Sequence, residues 1–168
     1  MVRYKNNRLS VLALCLFILF MSSAHAAMEI GQPAPPLIVT TIEGKIFDLS
    51  AQRGKVAIVH FWATWCPECR VEMPALAGFY RTHHDRSIEL VGISIERDRN
   101  KVADFMKDFG FPAAVQSEIT TSGFDNPRFI PVTYIFDKNG ILRARLTPQT
   151  GILTEGMLAK IVQPLLIK

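Results

Sequence analysis

Val56-Ala-Ile-Val-His-Phe-Trp-Ala-Thr-Trp-Cys-Pro-Glu-Cys-Arg70 decides how the rest of the chain reads. Its first seven residues are a dense run of β-branched and aromatic side chains, the form of a central strand buried on both faces. Two cysteines three apart follow, and from Arg70 to His84 the apolar residues Val71, Leu76, Phe79 and Tyr80 carry helical spacing. The pair therefore falls at a strand-to-helix junction. Unpaired amides and the positive end of the helix dipole favour thiolate there, and thiolate is the attacking species in disulfide exchange. Cys66 is the expected nucleophile; Cys69, one turn into the helix, lies close enough to resolve a mixed disulfide. The same spacing also serves as half of a zinc site, which needs further Cys or His ligands. The chain has no second cysteine pair, and the adjacent His83 and His84 point about 100° apart on a helix, so no metal is expected.

Outward from this stretch, the chain alternates. Residues 28–36 are a Pro-rich lead-in, and residues 37–40 and 45–49 flank Thr41-Ile-Glu-Gly44 as a hairpin. Residues 88–95 read as a second buried strand, and residues 98–110 as an amphipathic helix stopped by Gly110. Residues 113–116 suit a short strand and residues 117–129 an irregular connection. Residues 132–136 and 141–146 form a hairpin about Asp137-Lys-Asn-Gly140. A final helix spans 154–167, with Thr154 as its N-cap. Pro74 should bend the first helix, and Pro164 should distort the last turn of the final one. This order implies an α/β domain with a mixed sheet, helices on both faces and an N-terminal hairpin.

The N-terminus has a different character. Arg3, Lys5 and Arg8 precede an apolar run from Val11 to Met21, and Ala24-His25-Ala26 has the small-x-small form of a signal-peptidase site. Residues 1–26 are expected to be a cleavable signal peptide, or an anchor if left uncleaved. The run is short for a membrane span, which wants roughly 20 residues. Cys15 lies inside it, with Leu14 before it and Leu16-Phe17-Ile18 after it, unlike a lipoprotein acceptor. Of 19 Lys+Arg, three lie in residues 1–26 together with none of the 15 Asp+Glu, which leaves the mature chain at +1. No basic cluster survives, so no nucleic acid partner is expected. Only Cys66 and Cys69 remain as thiols in an exported chain. Their loop is too short to staple a fold, which points to chemistry.

Phe61-Trp-Ala-Thr-Trp-Cys66, Cys69, Glu72 and Pro74, with the lead-in Gly31-Gln-Pro-Ala-Pro35 and Gly54-Lys55, resemble the exported TlpA/ResA-like thiol–disulfide oxidoreductases of the thioredoxin superfamily. The resemblance implies a single thioredoxin-like domain over residues 27–168. It also implies a redox-active Cys66–Cys69 disulfide, no cofactor, and a peptide-binding segment at Ile130-Pro131-Val132-Thr133 whose proline is cis. Trp65, Pro67, Ile130 and Pro131 are then expected to line the substrate site. The family assigns the Glu at position 72 to proton handling for the cysteines; a helix-surface Glu favoured by the dipole is the other reading. At His60 the family usually has Asn. Strand alternation puts His60 and Trp62 on one face, where the imidazole serves either as a pH-dependent base or as a hydrogen-bonded core residue.

The resemblance implies a periplasmic, monomeric enzyme acting on cysteines of exported proteins, with a membrane thiol transporter as electron donor. Its relatives include reductants for cytochrome c maturation, but the signature Gly-x-Pro-Glu-Thr of that branch is replaced here by Phe129-Ile-Pro-Val-Thr133. Glu68 disfavours thiolate at Cys66 and so tilts the pair toward reduction; Arg70 acts the other way. A disulfide-forming oxidant would share the whole site. A peroxiredoxin would need Thr where Ala63 stands, and copper carriers of related type use a wider Cys spacing plus a distal His.

Overall fold

The structure, a computed structural model, describes residues 28–84, 87–125, 127 and 129–167. The expected signal segment, with Cys15, lies outside them. In chain order the elements are β1 (Leu37–Thr40), β2 (Ile46–Asp48), β3 (Val56–Trp62), α1 (Pro67–His83), β4 (Ile88–Ser94), α2 (Arg99–Met106), β5 (Ala113–Val115), β6 (Ile119–Ser122), β7 (Val132–Phe136), β8 (Leu142–Leu146) and α3 (Glu155–Leu166).

Five strands form the central sheet in the order β5-β4-β3-β7-β8. β3 pairs in parallel with β4 and antiparallel with β7, β5 pairs in parallel with β4, and β8 closes the other edge antiparallel to β7. The mixed sheet is thus the expected one. All seven residues of β3 are buried, as its apolar run requires. Alternation sorts them cleanly: Val56, Ile58 and Trp62 join one buried cluster, and Ala57, Val59 and Phe61 join another on the opposite face.

Helices were expected on both faces, and here the structure corrects the sequence reading. Buried residues of all three α-helices, among them Met73 and Leu76 of α1, Val102 and Met106 of α2, and Leu158 and Val162 of α3, belong to the cluster on the Trp62 face. Handedness explains the first two. The β3–α1–β4 and β4–α2–β5 crossovers both step in the same direction along the sheet, and right-handed parallel crossovers must then lie on the same side. The Phe61 face is covered instead by a small second sheet, β2-β1-β6, through Leu37, Val39 and Phe47, with Leu49 beside them. Phe124 completes that cover, its ring 5.6 Å from Phe61 and 5.3 Å from Tyr134.

β1 and β2 form the expected hairpin, with Gly44 in the left-handed region at φ 78° in its turn. β6 was not foreseen. It pairs antiparallel with β1 across a register shift between Ile38 and Val39, and three of its four residues are exposed. α1 begins at Pro67, three residues before the apolar periodicity suggests, because Pro is suited to the first helical position. The helix continues past Pro74, which withholds the N–H that would bond the Arg70 carbonyl. α2 is capped by Asp98, whose Oδ1 accepts from the Lys101 N–H at 3.1 Å, and it ends at Met106, four residues short of Gly110. Thr154 caps α3 as expected, its Oγ1 accepting from the Met157 N–H at 3.2 Å. In the β7–β8 turn, Asp137 Oδ1 accepts the N–H groups of Asn139 and Ile141.

Gly123 follows β6 and donates its N–H to the Pro36 carbonyl at 2.7 Å. A Cβ there would stand 2.8 Å from both Pro35 Cβ and Pro36 Cδ, in rings that cannot swing aside. Gly123→Ala is expected to cost about 1–3 kcal/mol by overpacking, read as a lower denaturant midpoint. An unchanged midpoint would mean that the β1–β6 seam yields freely.

Candidate active site

The fold brings the cysteine pair to the end of the fully buried strand. β3 stops at Trp62, the segment Ala63-Thr64-Trp65 turns, and Cys66 becomes the N-cap of α1. Cys66 and Cys69 are joined as a disulfide with their Cα atoms 5.3 Å apart. Cys66 Sγ accepts a hydrogen bond from the Cys69 N–H at 3.2 Å, so the sulfur itself satisfies one of the orphan amides of the first turn. Cys69 is completely buried and Cys66 is 3% exposed.

The neighbours fall into place unevenly. Trp65, immediately before Cys66, is 59% exposed, and Pro67, immediately after it, is exposed at the first helical position. The Ile130–Pro131 peptide is cis, as the resemblance implied. Its place follows from the register of β7: His60 pairs with Thr133 and Phe61 with Val132, so Pro131 adjoins the end of β3 from which the cysteine turn departs. Pro131 is buried and Ile130 half-buried.

Glu72 lies one turn beyond Cys69 on the same side of α1 and is buried. Its Oε1 accepts the Leu153 N–H at 3.0 Å, a bond that ties the approach to α3 to the cysteine helix. Burial pushes the Glu72 carboxyl above its ordinary range; the Leu153 bond pulls it back in part, and the charge on Glu68 adds to the rise. His60 is fully buried on the α1 side of β3. Its Nδ1 hydrogen-bonds Thr133 Oγ1 at 2.8 Å across the β3–β7 pair, and Nε2 has no protein partner among the described residues. Burial drives its pKa down from 6.5 to about 3, so the imidazole is neutral at physiological pH.

Two residues near the pair carry more of the geometry than their sequence positions suggest. Glu96, two residues beyond β4, accepts the Thr64 N–H at 2.6 Å and the Thr64 Oγ1–H at 2.8 Å. Burial opposes its ionisation, but Lys101 and both Thr64 bonds outweigh that and hold the carboxyl below its usual range. Arg70 donates from Nη1 to the Thr64 carbonyl at 3.2 Å and lies over the Phe105 ring, 5.3 Å from its centre. Nothing in the spacing of Glu96 from the cysteines marks it; only the parallel β3–β4 register, which ends with Trp62 beside Ser94, brings it to Thr64.

Comparison with known proteins agrees with this geometry. The model of a family described as the AhpC/TSA family matches residues 30–145. The chain belongs to that family. Within its relatives, a thiol-disulfide oxidoreductase ResA of Bacillus anthracis is 31% identical over 137 residues, covering 80% of this chain and 79% of that one. ResA of Bacillus subtilis (strain 168) is 28% identical over 130 residues, covering 76% and 71%. Among solved structures, a thioredoxin-family thiol:disulfide interchange protein from Chlorobium tepidum TLS superposes with a TM-score of 0.68 at 27% identity, over 84% of this chain and 99% of its own. StoA from Bacillus subtilis does so with a TM-score of 0.62 at 26% identity, over 79% and 98%. This AhpC/TSA chain is accordingly a thioredoxin-like thiol:disulfide oxidoreductase. Among the described residues no helix is long and apolar enough to cross a membrane.

The two buried titratable groups tilt stability in opposite directions with pH. Glu72 binds its proton more tightly in the folded state than in the unfolded chain, so its contribution is complete below about 4.5 and is lost as pH rises through the elevated folded value. Glu72→Gln keeps a carbonyl acceptor for Leu153 and should be more stable than the parent at neutral pH, the advantage vanishing in acid. His60 resists protonation when folded, so its contribution is complete above 6.5 and is lost as pH falls toward about 3. That loss should reach about tenfold in the folding constant per pH unit, and His60→Asn should flatten it. Denaturant titrations at a series of pH values test both signs.

Proposed function

We propose that the mature protein works outside the cytoplasm as a disulfide reductase or interchange enzyme for cysteines of exported proteins, with Cys66 attacking and Cys69 resolving. The observation that carries this reading is the placement of the Cys66 sulfur as the capping acceptor of α1, with the completely buried Cys69 behind it. The basic, apolar and small-x-small pattern of residues 1–26 supports export.

In the reducing direction, the Cys66 thiolate attacks one sulfur of a substrate disulfide. A Cys66–substrate disulfide forms, and the other substrate sulfur leaves as thiolate. The Cys69 thiol then loses its proton and attacks Cys66 Sγ. The internal disulfide closes, and the second substrate sulfur is released to take up a proton. Two electrons have passed to the substrate, and a second dithiol, of the kind a membrane thiol transporter presents, must return them. Glu72 is the proton acceptor for Cys69 in this scheme: a buried carboxylate with a raised pKa, one turn away, takes up a proton more readily than a solvated one. His60, neutral and bonded to Thr133, orients the strand beneath the pair instead of exchanging protons near neutrality. Exposed Trp65, next to Cys66 in the chain, and the Ile130–Pro131 segment at the same end of β3 are the surface assigned in this scheme to an extended substrate chain.

Glu68, in the first turn of α1, places a negative charge beside the thiolate and favours the direction of reduction. The test is equilibration of the Cys66–Cys69 couple against a glutathione series. A potential near roughly −270 mV is expected, whereas one near roughly −120 mV would make the protein an oxidant and overturn the direction proposed. Cys69→Ala should accumulate mixed disulfides with exported proteins, and Cys66→Ala should accumulate none.

A further inference from the structure

Thr64 is held at three atoms. Its N–H and hydroxyl donate to the two oxygens of Glu96, at 2.6 and 2.8 Å, and its carbonyl accepts from Arg70. Glu96 is in turn fixed by Ser94, whose hydroxyl donates to Oε2 at 3.3 Å, and by Lys101 of α2, whose ammonium lies 2.8 Å from Oε1. The carboxylate side chain is only 9% exposed. A charge held this far from water, with all its near bonds directed at one turn and its supports, is costly to place without a compensating role. The turn concerned is the one that ends in Cys66, whose own N–H donates to the Ala63 carbonyl.

We infer that Glu96 is a positioning residue for the thiol–disulfide reaction. Acting through Thr64, it fixes the turn between β3 and α1 so that the sulfur of Cys66 stays on the Cys69 amide when the disulfide opens. The disulfide itself constrains this sulfur in the oxidised protein. In the reduced protein that constraint is gone, and the turn on the N-terminal side of Cys66 is held by the Thr64–Glu96 clamp, with the Arg70 bond to the Thr64 carbonyl beside it. A turn free to drift would let the thiolate leave the amide and the helix N-terminus that stabilise it. The same clamp sets the direction in which Trp65, between Thr64 and Cys66, faces an incoming chain. This inference rests on Cys66 being the attacking sulfur.

Glu96 also carries a charge, and charge and clamp predict opposite outcomes. Removing a nearby negative charge eases thiolate formation, whereas releasing the turn hinders it. The experiment is the pH dependence of iodoacetamide alkylation at Cys66 of the reduced, full-length protein, with the modified site located by peptide mass. Glu96→Ala should raise the Cys66 pKa by about one unit, slowing alkylation at neutral pH about tenfold. Glu96→Gln, whose amide still accepts from the Thr64 N–H and donates to its hydroxyl, should stay within about twofold of the parent. Thr64→Val, which removes only the hydroxyl, should fall between them and serves if Glu96→Ala does not fold. Equal behaviour of the Ala and Gln variants, in either direction or with no change at all, would overturn the clamp; so would Thr64→Val reacting like the parent. The readout needs no substrate turnover. Failure of the proposed function appears separately, as Cys69 being the faster thiol in the parent protein.

Discussion

The full burial of β3, together with hydrogen bonding along both its edges, is the constraint on which the rest depends. A slip of one residue would exchange the bulk of Trp62 and Phe61 between the two clusters and part buried His60 from Thr133, so packing and that bond favour one register. The chain must therefore leave the sheet at Trp62, and the cysteine turn is delivered to one place. β4, parallel on one side, brings Glu96 to that place; β7, antiparallel on the other, brings Pro131. α1 starts there because Pro67 suits the first helical position and the Cys66 sulfur can cap it.

Most of this frame was legible. The apolar run at 56–62, the helix after the cysteines, the hairpin at 132–146 and the Thr154 cap are each fixed by local chemistry, which a sequence displays directly. What escaped depends on distant partners. Ile119-Thr-Thr-Ser122 is three-quarters exposed and shows no apolar alternation; it is a strand because β1 offers it an edge. The placement of all three helices on one face follows from strand order, and that order is known only once β5 is seen beyond β4.

The candidate site divides in the same way. Cys66, Cys69 and Glu72 could be read from spacing and resemblance because they lie within two turns of one helix. Glu96 could not, since it stands 27 positions beyond Cys69 and reaches Thr64 only through the parallel pairing. Three ionisable groups near the pair, two buried and Glu96 half-buried, thus have three environments. Glu96 is kept charged by an ammonium, an amide and hydroxyls; Glu72 is pushed toward its neutral form with one amide for company; His60 is left neutral against a threonine. The division follows both depth and partners: the shallowest group has the most bonds to its charged form, and the deepest has none that favour charge.

The burial of the two sulfurs has a consequence for electron traffic. Exchange requires a nucleophile to approach along the S–S axis, and with Cys69 enclosed the only open end of that axis is at Cys66, itself nearly covered. A small dithiol or glutathione tumbling in solvent gains nothing there to offset the cost of reaching so shallow a target. In the function proposed above, a partner that laid a chain over Trp65 and the Ile130–Pro131 segment would hold its sulfur in place long enough to react. On that proposal the closed form is insulated: its burial disfavours exchange with the bulk thiol pool and favours recharging through contact with a donor protein.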